Sequence, residues 1–311
     1  MRARWVAGRD LPLLVAPLVL AAVFAGAGPG AAAAAPGEHW ARASSPGSAG
    51  GSLNGVAVLS PRQAWAVGAY ATSAASQTLI EHWNGSAWAQ VPSPDPGGSS
   101  HDNALFGVAA TSARNAWAVG YYFNRTADQK QTLIEHWNGR TWAQVPSPNP
   151  AHFFGDALLG VAATSARNAW AVGSGNDYTD DTFPILIQHW DGTAWKDNPA
   201  RSIGLLTGVA ATSARNAWTA GRTLRWDGTA WRRVPSPAGP AASLNGVAAT
   251  SRVNAWAVGS TGACRTLILH WDGTAWTQVP SPNPAGSPSG HPLDGMFLQG
   301  VAAPRPPAPG R

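Results

Sequence analysis

The sequence predicts an all-β protein built from repeated four-stranded units, and three observations carry that reading. A segment of the form L-x-G-V-A recurs five times, at Leu53–Ala57, Leu105–Ala109, Leu158–Ala162, Leu206–Ala210 and Leu244–Ala248. Each copy places three tryptophans at fixed points, so 15 of the 17 in the chain belong to the repeat. An Asn-Gly or Asp-Gly pair separates two of them each time, at positions 84–85, 138–139, 191–192, 227–228 and 272–273. Such a pair between apolar runs is the strongest short-range hairpin signal, because both central residues of the two-residue turn need positive φ. Four short antiparallel strands at a period of about 40–50 residues mark a propeller blade. The expected fold is a β-propeller of five complete four-stranded blades plus a split, incomplete sixth blade.

Each element follows from its residues. The first strand, L-x-G-V-A, is rich in small residues, as suits a strand crowded towards a central axis. A polar turn, T-S-A-R-N in three copies, leads to the second strand, A-W-A-V-G or a variant around Trp65, Trp117, Trp170, Trp218 and Trp256. The third strand, T-L-I-E-H-W or a relative, ends at Trp83, Trp137, Trp190, Trp226 and Trp271. After the Asn-Gly or Asp-Gly turn the fourth strand starts at Trp88, Trp142, Trp195, Trp231 or Trp276 and runs out in P-S-P, where proline cannot continue a ladder. The A-W tryptophans lie 52, 53, 48 and 38 residues apart, too far for a parallel β-helix and too regular for a sandwich. At the ends, residues 39–46 align with a fourth strand and residues 298–303 with a sixth first strand. These would give the sixth blade strands one and four without two and three.

The domain expectation is a signal peptide over 1–35, the repeat domain over 36–303 and a disordered, proline-rich tail over 304–311. Arg2, Arg4 and Arg9 precede an apolar run from Leu11 to Gly28, and small residues follow at Ala31–Ala35. That is the three-part pattern of a secretory signal. The alternative is a retained membrane anchor, against which Pro12, Pro17 and the trailing alanines argue. Cleavage takes the net charge from +5 to +3 and leaves arginines scattered over the repeats with no basic run. The expected product is secreted, monomeric, free of stable membrane insertion and without a nucleic-acid partner. A single cysteine, Cys264, excludes an internal disulfide framework.

The repeats resemble secreted bacterial β-propeller proteins of the kelch and Asp-box type, over about Glu38 to Ala303. The hairpin Trp271-Asp272-Gly273-Thr274-Ala275-Trp276 is similar to an Asp-box turn shortened by one residue and lacking its leading Ser. The resemblance implies a secreted scaffold whose relatives include sialidases, sugar oxidases and non-catalytic binding proteins.

Residues that obey the repeat read as structure. His82, His136, His189 and His270 recur on the third strand, with Arg225 in the fourth copy. Equivalent positions on successive blades spread round a ring, too far apart to share an ion at metal–nitrogen distances near 2 Å. They are expected to be packed histidines satisfied locally. Glu81 and Glu135 beside them are expected at the blade surface, since Gln188 and Leu269 replace them elsewhere. The tryptophans are expected to wedge blades together.

Residues that break the repeat point to function, because binding groups concentrate on variable loops of a rigid scaffold. The loops between strands two and three and between blades vary in length and emerge on one face. The candidate ligand-binding set on that face is Tyr121, Tyr122, Arg125, Phe153, Phe154, Tyr178 and Phe183. Asn176, Asp177, Asp180 and Asp181 on one such loop could supply oxygen ligands to calcium, and no other cofactor is expected. No catalytic residue is assigned. The expected function is a non-catalytic binding module for glycan or cell-surface ligands. The alternatives are a carbohydrate-active enzyme (a glycosidase or sugar oxidase) and a structural envelope protein without a specific ligand.

Overall fold

The computed structural model describes residues 50–150, 155–175, 184–200, 204–239, 241–261, 265–281 and 300–301. Twenty strands form five four-stranded antiparallel sheets, each in chain order from first strand to fourth. Blade 1 comprises Gly51–Ser60, Gln63–Ala71, Ser76–Trp83 and Trp88–Gln90. Blade 2 comprises Asn103–Ser112, Asn115–Asn124, Gln129–Trp137 and Trp142–Gln144. Blade 3 begins at Asp156, blade 4 at Gly208 and blade 5 at Ser243. First strands of successive blades lie against one another, which makes them the inner strands of the propeller. The sixth-blade segments lie outside the described residues, except Gly300 and Val301, which belong to no strand.

The small residues of the first strand are required by that crowding. A Cβ on Gly55 would stand 2.7 Å from the Phe106 carbonyl oxygen, and one on Gly160 would stand 2.9 Å from the Gly208 Cα. Adjacent inner strands therefore approach at glycine, where a side chain would force them apart.

Tryptophans lock the blades at their middle. Trp117, 1% exposed, packs against His136 of its own blade, the rings tilted by 33° with centroids 4.2 Å apart. It also meets Trp190 at 5.0 Å and, edge-on, Trp195 at 5.1 Å, both on blade 3. Trp65, Trp170 and Trp218 repeat the arrangement against the following blade. These offset and edge-to-face pairs are the geometries aromatic rings prefer. Trp256, with no following blade among the described residues, is only half-buried.

The third-strand histidines are local, as their repetition implies. The Nε2 of His136, His189 and His270 lies 2.8 Å from the Oδ1 of Asn115, Asn168 and Asn254 respectively. Each of these asparagines opens the second strand of its own blade. In blade 1 Gln63 replaces the asparagine and the buried His82 Nε2 has no hydrogen-bond partner among the described residues. In blade 4 Arg225 replaces the histidine; its guanidinium lies over Trp218 at 4.9 Å, and the Asn216 Oδ1 has no partner among the described residues.

Two expectations are corrected. The Asn-Gly and Asp-Gly turns are not two-residue turns with both residues at positive φ: only the glycines, such as Gly85 at 100°, take that conformation. Instead Asn84 Oδ1 accepts the Ser86 and Ala87 amides at 2.9 and 3.0 Å, while the Asn84 amide donates to the Ala87 carbonyl. The Asx side chain closes a four-residue loop, an arrangement repeated by Asp191, Asp227 and Asp272. Those three carboxylates lie below the usual carboxylate range because neighbouring hydrogen bonds favour the charged form.

Glu81 and Glu135 are not surface residues. Both are fully buried on the third strand. Both faces of the blade are covered there: Ala116, Trp117 and Ala118 on the second strand and Leu133, Ile134 and Glu135 on the third are all buried, so replacement by Gln188 and Leu269 does not mark a surface position.

Candidate functional site

The face that carries the variable loops is the one where second strands end, third strands begin and blades connect. Its scaffold is set by the P-S-P segment, which does more than stop the fourth strand. In blade 2 the Asn149 Oδ1 accepts the Thr132 amide at 2.7 Å, and the Thr132 and Ser147 hydroxyls lie 2.6 Å apart. In blade 1 Asp95 and Ser93 treat Thr78 identically. Side chains thus extend the ladder past the last fourth-strand residue. The joint occurrence of Q-T-L-I with P-S-P-[N/D]-P in these two copies is the sequence signal for it.

The structure separates the two adjacent tyrosines. Successive strand residues point to opposite faces, so Tyr121 and Tyr122 cannot share a surface. Tyr121 is buried at 6% exposure, with the Lys130 ammonium 4.3 Å over its ring and Phe106 5.9 Å away. Burial, with a lesser contribution from the Asp102 charge, pushes its phenol up to about 12. Tyr121 is therefore a packed residue, against its expected exposure.

Tyr122 is half-buried and remains at the surface. Its hydroxyl donates to the Gln131 Oε1 at 2.7 Å, and the Asn124 Nδ2 donates to the same oxygen at 2.8 Å. Its ring lines a cavity of about 300 Å³ with Thr132, Gln144, Pro146, Ser147 and Asn149. Arg125 is exposed on the adjoining loop, whose turn is capped by the Asn124 Oδ1. The other candidates, Phe153, Phe154, Tyr178 and Phe183, lie outside the described residues, as do Asn176, Asp177, Asp180, Asp181 and Cys264. Among the described residues no group of three His, Cys, Asp or Glu side chains could hold a metal ion.

Sequence reasoning missed further members of this face. His101 and Phe123 stack nearly parallel, with ring centroids 5.5 Å apart. The loop carrying His101 is pinned by the buried Asn103, whose amide donates to the His101 and Gly98 carbonyls and accepts the Gly97 amide. A short bridge between Lys130 and Gly155 brings the start of blade 3 to the third strand of blade 2. None of these contacts lies within one repeat unit, which is why a repeat alignment is silent on them.

The architecture is that of a β-propeller. No protein family and no curated protein matches the sequence. Among solved structures, the chain is similar to the Hadza microbial sialidase Hz136, at 14% identity and a TM-score of 0.50 over 71% of this chain and 56% of that one. It is also similar to the fungal lectin of Aleuria aurantia, described as a six-bladed β-propeller with a novel fucose recognition mode, at 12% identity and a TM-score of 0.48 over 76% and 81% of the two chains. A chain of a nidogen/laminin complex matches at 11% identity and a TM-score of 0.48 over 81% and 84%. Identities this low speak to the fold alone.

Proposed function

We propose that the protein is a secreted, monomeric, non-catalytic binding module that recognises glycan or cell-surface ligands through its variable-loop face. The observation that carries this reading is the contrast between the two faces. One presents five near-identical Asx-closed turns; the other breaks the repeat symmetry with the Tyr122 cavity and the His101–Phe123 stack. The groups that line the Tyr122 cavity are an aromatic ring, amides, hydroxyls and a proline, which bind but do not transfer protons near neutral pH; His101 does not line it. The recurrent carboxylates are spent elsewhere: Glu81 and Glu135 lie buried within the blades, and Asp191, Asp227 and Asp272 close turns. A net charge near +3 after export and arginines scattered over the repeats without a basic run in the sequence support a reading without a nucleic-acid partner.

A glycan array run beside a broad glycosidase panel tests the reading. Binding without turnover is the expected result. Turnover would establish a carbohydrate-active enzyme instead, and silence in both would favour a structural envelope role. Export is tested by N-terminal sequencing of the secreted product, which should begin between Ala33 and Glu38.

A further inference from the structure

We propose that the Tyr122 cavity of blade 2 is a subsite for one neutral pyranose ring. This rests on the glycan-binding reading above and assigns it a place and a ligand class. The cavity, about 300 Å³, is at the small end of the range for small-molecule sites, roughly 300–1,000 Å³. One sugar ring suits it better than an extended oligosaccharide.

The lining selects the chemistry. Its six residues comprise one aromatic ring, two amides, two hydroxyls and a proline, with no charged side chain. A pyranose presents a C–H face that packs on an aromatic ring and an equatorial belt of hydroxyls that both donate and accept. Carboxamides and hydroxyls, which also do both, match that belt. An anionic sugar would need a cation, and none lines the cavity.

The groups are held in place before any ligand arrives. Tyr122 is fixed by its bond to Gln131, itself fixed by Asn124. Ser147 and Asn149 are fixed by Thr132, and the Asn149 Nδ2 donates to the Ser147 carbonyl at 3.1 Å. Gln144 is different: it is exposed, and its amide has no hydrogen bond among the described residues. A preorganised wall facing one uncommitted amide avoids much of the ordering cost of binding.

Register shows that this combination is specific to blade 2. In blade 4 Arg233, paired with Leu224, stands where Gln144 does. In blade 3 Gly175 and Asp197 stand where Tyr122 and Gln144 do, and Ile185 replaces Thr132. In blade 5 Thr261 follows Ser260, the partner of Thr266, and so takes the place of Tyr122. Blade 1 keeps Tyr70 and Gln90, but a carboxylate, Asp95, stands where Asn149 does.

The test is titration of the mature protein with glucose, galactose, mannose and N-acetylglucosamine, followed by NMR, with N-acetylneuraminic acid as the anionic comparator. At least one neutral sugar should bind, and Tyr122→Ala and Gln144→Ala should each weaken it about tenfold, about 1.4 kcal/mol. Tyr122→Phe should retain most of the affinity because the ring is kept, and Arg62→Ala, exposed beside the Asx-closed turn at Gly85 on the opposite face, should leave it unchanged. Gln144→Ala alters an exposed, unbonded side chain, so it remains a fair test even if Tyr122→Ala fails to fold. Neutral-sugar binding that survives Gln144→Ala and Tyr122→Phe but is lost in Arg125→Ala would overturn the assignment, as would a preference for the anionic sugar. A positive glycan array without monosaccharide binding, or with binding indifferent to Tyr122 and Gln144, would sink the subsite and leave the broader reading standing. A blank array together with blank titrations would remove both.

Discussion

Gln188 and Glu135 occupy the same register position on successive blades, yet only Gln188 has its hydrogen bond. Its Nε2 donates to the Pro148 carbonyl at 2.7 Å, whereas both oxygens of the buried Glu135 lack a partner among the described residues. Pro94 is the blade 1 counterpart of Pro148 and precedes Asp95, whose charge reaches Glu135; a carbonyl placed like that of Pro148 demands a donor. A neutral carboxyl can donate; a carboxylate cannot. Burial, then the nearby Asp95 charge, accordingly raises the Glu135 carboxyl well above its ordinary 4.5.

Glu135→Gln should therefore stabilise the protein at pH 8, by about 1–3 kcal/mol, the usual cost of a buried group left unsatisfied. The sign follows from linkage. A carboxyl with a raised folded-state pKa contributes fully below the unfolded value of about 4.5, and its contribution fades as pH rises through the folded value. The gain should therefore shrink towards pH 4. Urea denaturation at the two pH values measures it, and equal midpoint shifts at both would contradict the neutral-acid account.

The blade 1 histidine offers a complementary gain. Gln63→Asn should rebuild the pair that Asn115 forms with His136 and give His82 its missing partner, for roughly 0.5–1.5 kcal/mol. Burial holds His82, His136 and His189 below the ordinary 6.5. Groups lowered in this way support the fold above about pH 6.5 and withdraw that support as pH falls through their folded values. Thermal melts should thus fall between pH 7 and pH 5 in the parent protein, and Gln63→Asn should show its gain at pH 7.

Trp117→Ala removes the wedge between blades 2 and 3 and should cost about 3–5 kcal/mol, as large-to-small changes in a packed core do. Trp256→Ala should cost less, since Trp256 is half-buried and meets only His270 among the described rings. Chemical denaturation of the two variants side by side checks the order; an equal loss would mean that the wedges are not what holds the blades together.

What the sequence made legible was whatever repeats. Strand order, the P-S-P stop and the wedge tryptophans each recur five times or nearly so, and recurrence identifies a structural role without a partner in view. The Asx closure of the turns was half legible: the glycine signalled the turn, but the side chain of Asn84 or Asp191, rather than a second positive φ, closes it. The Glu135 environment was illegible, because both faces of its strand are covered and the Asp95 charge acts on it from 40 residues away in the preceding blade. The candidate face was legible as a face but not residue by residue. Contacts such as His101 on Phe123 and Lys130 on Tyr121 join segments that the repeat does not align.

Tyr121 and Tyr122 provide the sharpest separation of packing from binding. The sequence sets both on a variable, solvent-facing loop, where either could be replaced without harm to the fold. The structure buries Tyr121 beneath Lys130 and beside Phe106, so Tyr121→Ala should cost roughly 2–5 kcal/mol as a buried aromatic truncation. Tyr122→Ala, at a half-buried rim, should cost the fold less. The phenol of Tyr121, at about 12, should ionise well after a free tyrosine near 10 in a spectrophotometric titration. Because that pKa is raised, the folded state is supported below about pH 10 and loses that support as pH climbs towards 12; Tyr121→Phe should remove this alkaline loss. If Tyr121 instead titrates near 10 and its alanine variant melts with the parent, its ring is at the surface and belongs with Tyr122 in the binding site.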